Sequence, residues 1–152
     1  MTIPTQAIVW NDSFATGVAE IDEQHMILVH TVNEAAVLAA RDDSPDAIER
    51  ITRDLLSYAL YHFETEERLM EEYGYAEGAS ADAHGHLEAH RAFSARVVAT
   101  RERLKSGEPV AMDDVIQFLK GWLVNHILTV DKKLGAFIVA RRLARSRGAS
   151  VG

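Results

Sequence analysis

The stretch IDEQHMILVHTVNEAAVLAA, residues Ile21–Ala40, carries the pattern that decides the fold. Its apolar side chains and one histidine recur at steps of three and four residues, at Ile21, His25, Leu28, Val32, Ala35 and Ala39. An α-helix completes a turn about every 3.6 residues, so this spacing places them all on one helix face. We therefore predict a first helix over about 22–40 with one buried face.

The segment that follows predicts a second helix with a defined start. Ser44 can cap the helix, Pro45 has the fixed φ that suits the first helical position, and Asp46 places a carboxylate at the positive end of the helix dipole. We expect this helix to run from Pro45 to about Glu72. The run 73–83 contains glycines and small residues but few large aliphatic ones, so we expect a loop there.

Two further helices are predicted in the rest of the chain. A third should occupy about 86–105, because the glycine and the proline in 106–109 end it. A fourth should run over about 113–134, and the segment 135–147 either extends it or bends away at Gly135. No stretch alternates with period two for long enough to predict a strand.

These elements predict an all-α, antiparallel up-down-up-down four-helix bundle, because short connections make successive helices antiparallel. We expect a single domain with an irregular N-terminal leader (1–20), the bundle (about 21–138) and a short basic C-terminal extension (about 139–152). The extension is most simply a solvated end, and the alternative is a tail that binds a partner.

Composition excludes several classes of function. The 152 residues carry a formal charge of −7, which gives no general attraction to nucleic acid or anionic membranes. The absence of cysteine excludes disulfides, thiolate metal sites and iron–sulfur clusters, so any metal must be held by nitrogen and oxygen. The first residues lack a signal-peptide pattern and no apolar run is long enough to span a membrane, so we expect a cytoplasmic protein.

Histidines and carboxylates recur at helical spacings on the predicted helices. His62 and Glu66 are four residues apart, as are His86 and His90, so each pair projects from one helix face. His126 and Asp131 are five apart, which separates them by about 140° in a regular helix. We therefore predict either a locally widened turn there or an Asp131 side chain directed back along the helix.

Taken together, four helices direct a set of candidate metal ligands toward one axis. A catalytic zinc ion takes about three protein ligands and a structural one about four, so this set is too large for a single zinc. Two six-coordinate ions can use all of it with a bridging solvent oxygen and leave one position open, and imidazole with carboxylate suits iron. The set consists of His25, His62, Glu66, His86, His90, His126 and Asp131.

Two signatures of other metal enzymes are missing from the sequence. It contains no Glu-x-x-His, the motif of the ferritin-like di-iron enzymes, and no His-Glu-x-x-His of zinc metalloproteases. A shell rich in histidine and poor in carboxylate also has fewer anions to stabilise highly oxidised iron. The composition of the site thus favours reversible binding over the oxidation of substrates.

The ordered motifs resemble the hemerythrin family, in its bacterial branch, over about 10–138. The motifs that carry the resemblance are Trp10 and Thr16-Gly17-Val18; Ile21-Asp22-Glu23-Gln24-His25; His62-Phe63-Glu64-Thr65-Glu66-Glu67 with Met70; His86, His90 and Phe93; and Trp122-Leu123, His126-Ile127 and Asp131. The run between Tyr75 and His86 is about five residues longer than is usual in the family. It also offers His84 as a competitor for the role of His86.

The resemblance implies a non-haem, oxo-bridged di-iron centre to which dioxygen binds end-on at the iron with two histidines. On the family pattern, one iron is held by His86, His90 and His126, the other by His25 and His62, while Glu66 and Asp131 bridge them. Trp122 and Leu123 match residues that line the oxygen pocket. We prefer His86 to His84 as a ligand because His84 is six residues from His90, on a different helix face, and misses the family spacing to Phe93. We expect His30, about 140° around the helix from His25, to be a bystander.

We accordingly expect a monomeric, non-enzymatic protein that binds dioxygen for storage, delivery or buffering, with an oxygen-consuming protein as a candidate partner. One alternative is a signalling module that senses oxygen or redox state. Another is a di-iron enzyme that acts on peroxide or nitric oxide.

Overall fold

A computed structural model of the chain describes residues 7–150. The long helices are α1 (Ala19–Arg41), α2 (Pro45–Tyr73), α4 (Ser80–Lys105), α5 (Met112–His126) and α6 (Lys132–Ser150). The shorter elements are a 3-10 turn (Asp12–Phe14), the one-turn helix α3 (Tyr75–Gly78) and a π-helical turn (Ile127–Asp131) that joins α5 to α6. Residues 1–6 of the predicted leader and 151–152 of the predicted extension lie outside this description.

The prediction of an all-helical bundle is confirmed, and residues 7–150 contain no strand. Helix α1 packs against α2 and α5, and α2 packs against α4. The α1–α2 and α2–α4 pairings are those expected when short connections place successive long helices side by side, and the α1–α5 pairing closes the bundle. No helix within 7–150 combines the length and the apolar character that crossing a bilayer requires.

The ends of α2 follow from their sequence. The Ser44 hydroxyl accepts a hydrogen bond from the Ala47 backbone N–H at 3.2 Å, and Pro45 begins the helix, as predicted. At the other end, Gly74 adopts a left-handed conformation with φ of 69°, which a residue with a side chain adopts at a cost. The first two helices agree with their predicted bounds to within three residues.

The prediction of a loop over 73–83 was wrong. Helix α3 occupies Tyr75–Gly78, and α4 begins at Ser80, six residues before the predicted start at His86. The reason is tertiary packing, because Tyr75 and Ala83 are both buried in the core. Glycines and small residues favour a loop when judged locally, but burial of these two side chains stabilises helical backbone around them.

The fourth predicted helix continues as α6 through Gly135, so of the two alternatives for 135–147 the extension is confirmed. Gly135 is buried where the leader crosses this helix, and a Cβ at this position would collide with the backbone carbonyl of Thr16. Glycine at this point therefore permits close approach of two backbones. Farther along α6, Arg142 contacts the Glu20 carboxylate at 2.9 Å and the Tyr73 hydroxyl at 2.8 Å, so the basic extension is anchored to the bundle.

Two apolar clusters fill the bundle interior. The larger includes Leu28, Leu55, Phe63, Phe93, Leu123 and Ile127, and the smaller includes Val18, Ile21, Leu69, Tyr75, Ala83 and Leu134. Along α1, α2, α4 and the α5–α6 run, the predicted ligand residues lie where the larger cluster ends and the smaller one begins. The polar site therefore has apolar packing on both sides of it along the bundle.

Candidate metal centre

The structure brings all of the predicted ligand residues into one buried cluster. Helix α1 supplies one of them, α2 two, α4 two, and the α5–α6 run the last two. None exposes more than 3% of its surface: His25, His62, Glu66, His86, His90, His126 and Asp131. Such complete burial of seven polar side chains requires partners, because an unpaired buried polar group costs roughly 1–3 kcal/mol.

The cluster divides into two groups that share both carboxylates. In one group a ligand atom of each of His86, His90 and His126 lies within 4.8 Å of the others and of Glu66 and Asp131. In the second group the same holds for His25 and His62 with the same two carboxylates. A carboxylate has two oxygens and can contact two ions, so this arrangement can hold a pair of metal ions.

Glu66 lies at the centre of three imidazoles. Its Oε1 is 3.1 Å from Nε2 of His90, 3.3 Å from Nε2 of His62 and 3.4 Å from Nε2 of His86. Since His62 and His86 belong to different groups, this one oxygen faces both halves of the cluster.

Asp131 also faces both groups, with a different oxygen toward each. Its Oδ2 is 2.8 Å from Nε2 of His25, whereas its Oδ1 is 3.1 Å from Nε2 of His126 and 3.2 Å from Nε2 of His86. The backbone between His126 and Asp131 forms a π-helical turn, with about one residue more per turn than an α-helix. The prediction of a locally widened turn is therefore confirmed.

Many of these close approaches lack hydrogen-bond geometry. Nε2 of His25, His62 and His126, Oε2 of Glu66 and both carboxylate oxygens of Asp131 are buried without a hydrogen-bond partner. Several of these unpartnered atoms point into the shared interior of the two groups. Metal cations would satisfy them together, so the residues present fit a metal pair held by nitrogen and oxygen.

The charges of the cluster keep its carboxylates ionised. Burial alone would raise the pKa of Glu66, but charge and hydrogen-bond interactions with His62, His86 and His90 hold that pKa well below its usual range. The pKa of Asp131 is likewise lowered, since His126 and His25 outweigh the effects of burial and of Glu66. Conversely, burial opposes protonation of His86, yet the two carboxylates raise its pKa to about 9.

Two residues that sequence reasoning missed contact the outer nitrogens of the histidines. Oε1 of Gln24 lies 2.7 Å from Nδ1 of His62, and Oε2 of Glu67 lies 3.3 Å from Nδ1 of His90. Each is adjacent in sequence to a predicted ligand residue. No spacing in the sequence relates either to the histidine it contacts, because each contact joins two different helices.

Aromatic and apolar side chains enclose one side of the cluster. Trp122 stacks on His126 with ring centroids 4.3 Å apart, and Phe63 stacks on His90 at 3.9 Å. Leu123 is buried beside them. An apolar cavity of about 20 Å³ adjoins these residues, lined by Leu28, Val32, Leu55, Ala59, Phe63, Phe93, Leu119, Trp122 and Leu123.

The two remaining histidines lie outside the cluster. His84 and His30 are exposed, while His86 is fully buried within it. The structure thus places His86 rather than His84 among the clustered residues.

A family model and two related proteins each match most of this chain. A family model described as the Hemerythrin HHE cation binding domain matches residues 16–138. A Bacteriohemerythrin of Pseudomonas aeruginosa is 36% identical over 124 residues, 82% of this chain and 76% of that protein. A Bacteriohemerythrin of Methylococcus capsulatus is 30% identical over 131 residues, 84% of this chain and 92% of that protein.

Solved structures resemble the chain over most of its length. A wild-type hemerythrin crystal structure matches with a TM-score of 0.75 and 29% sequence identity. The match covers 88% of this chain and 98% of that one.

Proposed function

Because this chain belongs to the hemerythrin family, we propose that it binds dioxygen reversibly at a non-haem di-iron centre. The observation that carries the proposal is the pair of histidine groups that share Glu66 and Asp131. Two adjacent metal ions need bridging ligands between them, and these carboxylates face both groups. Imidazole and carboxylate together suit iron better than calcium or magnesium, which prefer all-oxygen shells.

In the proposed centre, His86, His90 and His126 would hold one ion and His25 and His62 would hold the other. Glu66 and Asp131, which face both groups, would contact both ions. The group with two histidines offers fewer protein ligands, so the open position for dioxygen would lie on that side. A pair of irons held there would supply electrons to dioxygen and recover them on its release.

The role of the surrounding side chains is to keep water from the centre. Leu123 and Phe63 are each at most 5% exposed and line the apolar cavity next to the histidines. Trp122 covers one face of the His126 ring. Water-excluded apolar surroundings favour a small neutral guest such as dioxygen over a charged substrate.

Spectroscopy of the iron-loaded protein tests the proposal. The purified protein is reduced without air, exposed to dioxygen and then returned to a dioxygen-free gas, with the visible spectrum recorded at each step. The proposal predicts a new visible band that appears with dioxygen and disappears when dioxygen is removed. Continuous consumption of dioxygen, peroxide or nitric oxide without such a band would support a di-iron enzyme instead.

A further inference from the structure

We infer that Gln24 and Glu67 are positioning residues that make the two halves of the metal centre electrostatically unequal. Gln24 orients His62 in the group with two histidines, and Glu67 orients His90 in the group with three. The inference rests on the proposed function, because it concerns two of the proposed iron ligands.

The orientation of the Gln24 amide follows from its hydrogen bonds. The Thr65 hydroxyl donates to the Tyr61 carbonyl at 3.2 Å, and therefore accepts at 3.1 Å from the Gln24 amide nitrogen. With its nitrogen at Thr65, the Gln24 side chain presents its oxygen to Nδ1 of His62, 2.7 Å away. Because that oxygen only accepts, the His62 proton resides on Nδ1.

The position of this proton decides what His62 offers the cluster. A neutral imidazole with its proton on Nδ1 has a lone pair on Nε2. Nε2 of His62 is buried without a hydrogen-bond partner and lies 3.3 Å from Oε1 of Glu66. Gln24 therefore fixes the tautomer in which the inward nitrogen of His62 can bind a cation.

Glu67 acts on His90 in the same way but with a negative charge. Its carboxylate accepts from Nδ1 of His90 at 3.3 Å, so Nε2 of His90, 3.1 Å from Oε1 of Glu66, is left to face the interior. The Glu67 side chain is 45% exposed and lines an open cleft between α2 and α4. Its charge is partly screened by solvent, yet it contacts the ring of a proposed ligand directly.

The difference between an amide and a carboxylate makes the two groups unequal. A carboxylate on the outer nitrogen increases the electron donation of an imidazole, whereas a neutral amide does so less. The group that contains His90 should therefore stabilise a more highly charged ion than the group that contains His62. A neutral partner at His62 keeps the ion there more easily reduced.

Reduction potentials of the iron-loaded protein test whether Glu67 and Gln24 make the two groups electrostatically unequal. Glu67→Gln should raise the potential of the centre by at least about 59 mV, a tenfold change in a one-electron equilibrium. Gln24→Glu should lower it, because a negative charge is added next to His62. Glu64→Gln is the matched control, since Glu64 is exposed in the same cleft and its change removes the same charge without a ligand contact. A shift from Glu64→Gln as large as that from Glu67→Gln would overturn the inference.

Iron affinity tests whether Gln24 positions His62. Gln24→Leu removes the acceptor, so ferrous iron measured by anaerobic titration should bind about 10–100-fold more weakly. Gln24→Glu keeps an acceptor oxygen and should restore the affinity, which a loss of packing would not explain. Equal weakening in both variants, with unchanged helical circular dichroism, would contradict the role of Gln24. A wild-type chain that binds no iron would overturn the proposed function as well, whereas unchanged variants of an iron-binding chain overturn this inference alone.

Discussion

His126 and Asp131 are five residues apart in sequence, yet Nε2 of the first lies 3.1 Å from Oδ1 of the second. The π-helical turn Ile127–Asp131 makes this approach possible, because it rotates Asp131 back toward the face that carries His126. The unusual backbone is thus located where one carboxylate has to reach both groups of histidines.

The charge of Asp131 should matter more than its shape. Asp131→Asn keeps the size of the side chain but removes a negative charge that would balance two cationic irons, so iron affinity should fall by at least about tenfold. Asp113→Asn, in the exposed first turn of α5, removes the same charge far from the cluster and should leave iron binding unchanged. Titration with ferrous iron under nitrogen distinguishes the two. Full iron affinity in Asp131→Asn would contradict the bridging role.

Leu123 should protect the centre from water. Leu123→Ala should enlarge the apolar cavity, lower the free energy of unfolding by about 2–5 kcal/mol and speed oxidation of the oxygenated protein. Leu143→Ala, on an exposed part of α6, serves as control and should change neither property. Autoxidation is followed by the decay of the visible band after exposure to dioxygen. Loss of iron with an unchanged rate of decay would show that Leu123 supports the fold rather than the pocket.

The metal-free protein should depend on pH in a way that the iron-loaded protein does not. The carboxylates raise the pKa of His86 from 6.5 to about 9, so its protonated form stabilises the folded state. This contribution is fully present below pH 6.5 and is lost as the pH rises through about 9. The pKa of His90 is lowered, mainly by burial. Its contribution to the free energy of unfolding therefore changes below pH 6.5, outside the interval in which His86 titrates.

Urea denaturation at several pH values measures this effect. The free energy of unfolding of the metal-free protein should decrease between pH 6.5 and 9. Iron-bound imidazoles hold no proton on the binding nitrogen, so the loaded protein should be more stable and should lack this decrease. A metal-free form as stable as the loaded form at every pH would contradict a buried metal centre.

Much of this site could be predicted because it depends on helix periodicity. The four-residue spacing of His62 and Glu66 requires only that α2 is helical. The five-residue spacing of His126 and Asp131 left two alternatives, a widened turn or an Asp131 side chain directed back along the helix, and the π-helical turn is the first of them. The contacts of Gln24 and Glu67 could not be predicted in this way, since each depends on how two helices pack. The early start of α4 was missed for the same reason, because burial of Ala83 outweighs the local preference of small residues.

Gly135 should be required by packing rather than by backbone conformation. Gly135→Ala should destabilise the protein although alanine favours helices, because the added Cβ collides with the carbonyl of Thr16. Gly121→Ala provides the comparison on α5, where nothing lies near the added atom. That variant should be neutral or more stable by roughly 0.5–1 kcal/mol. Thermal unfolding of both variants tests the prediction, and equal stabilisation would show that the leader does not press against α6.

Gas exchange by the iron-loaded, reduced protein tests the central claim most directly. The quantity to measure is the dioxygen taken up per pair of irons on exposure and the dioxygen recovered when the gas is removed. Reversible binding predicts uptake of one molecule per iron pair and recovery of nearly all of it over repeated cycles. Dioxygen that is consumed and not recovered, or uptake that persists after the pair of carboxylates is neutralised by Glu66→Gln and Asp131→Asn, would contradict the account.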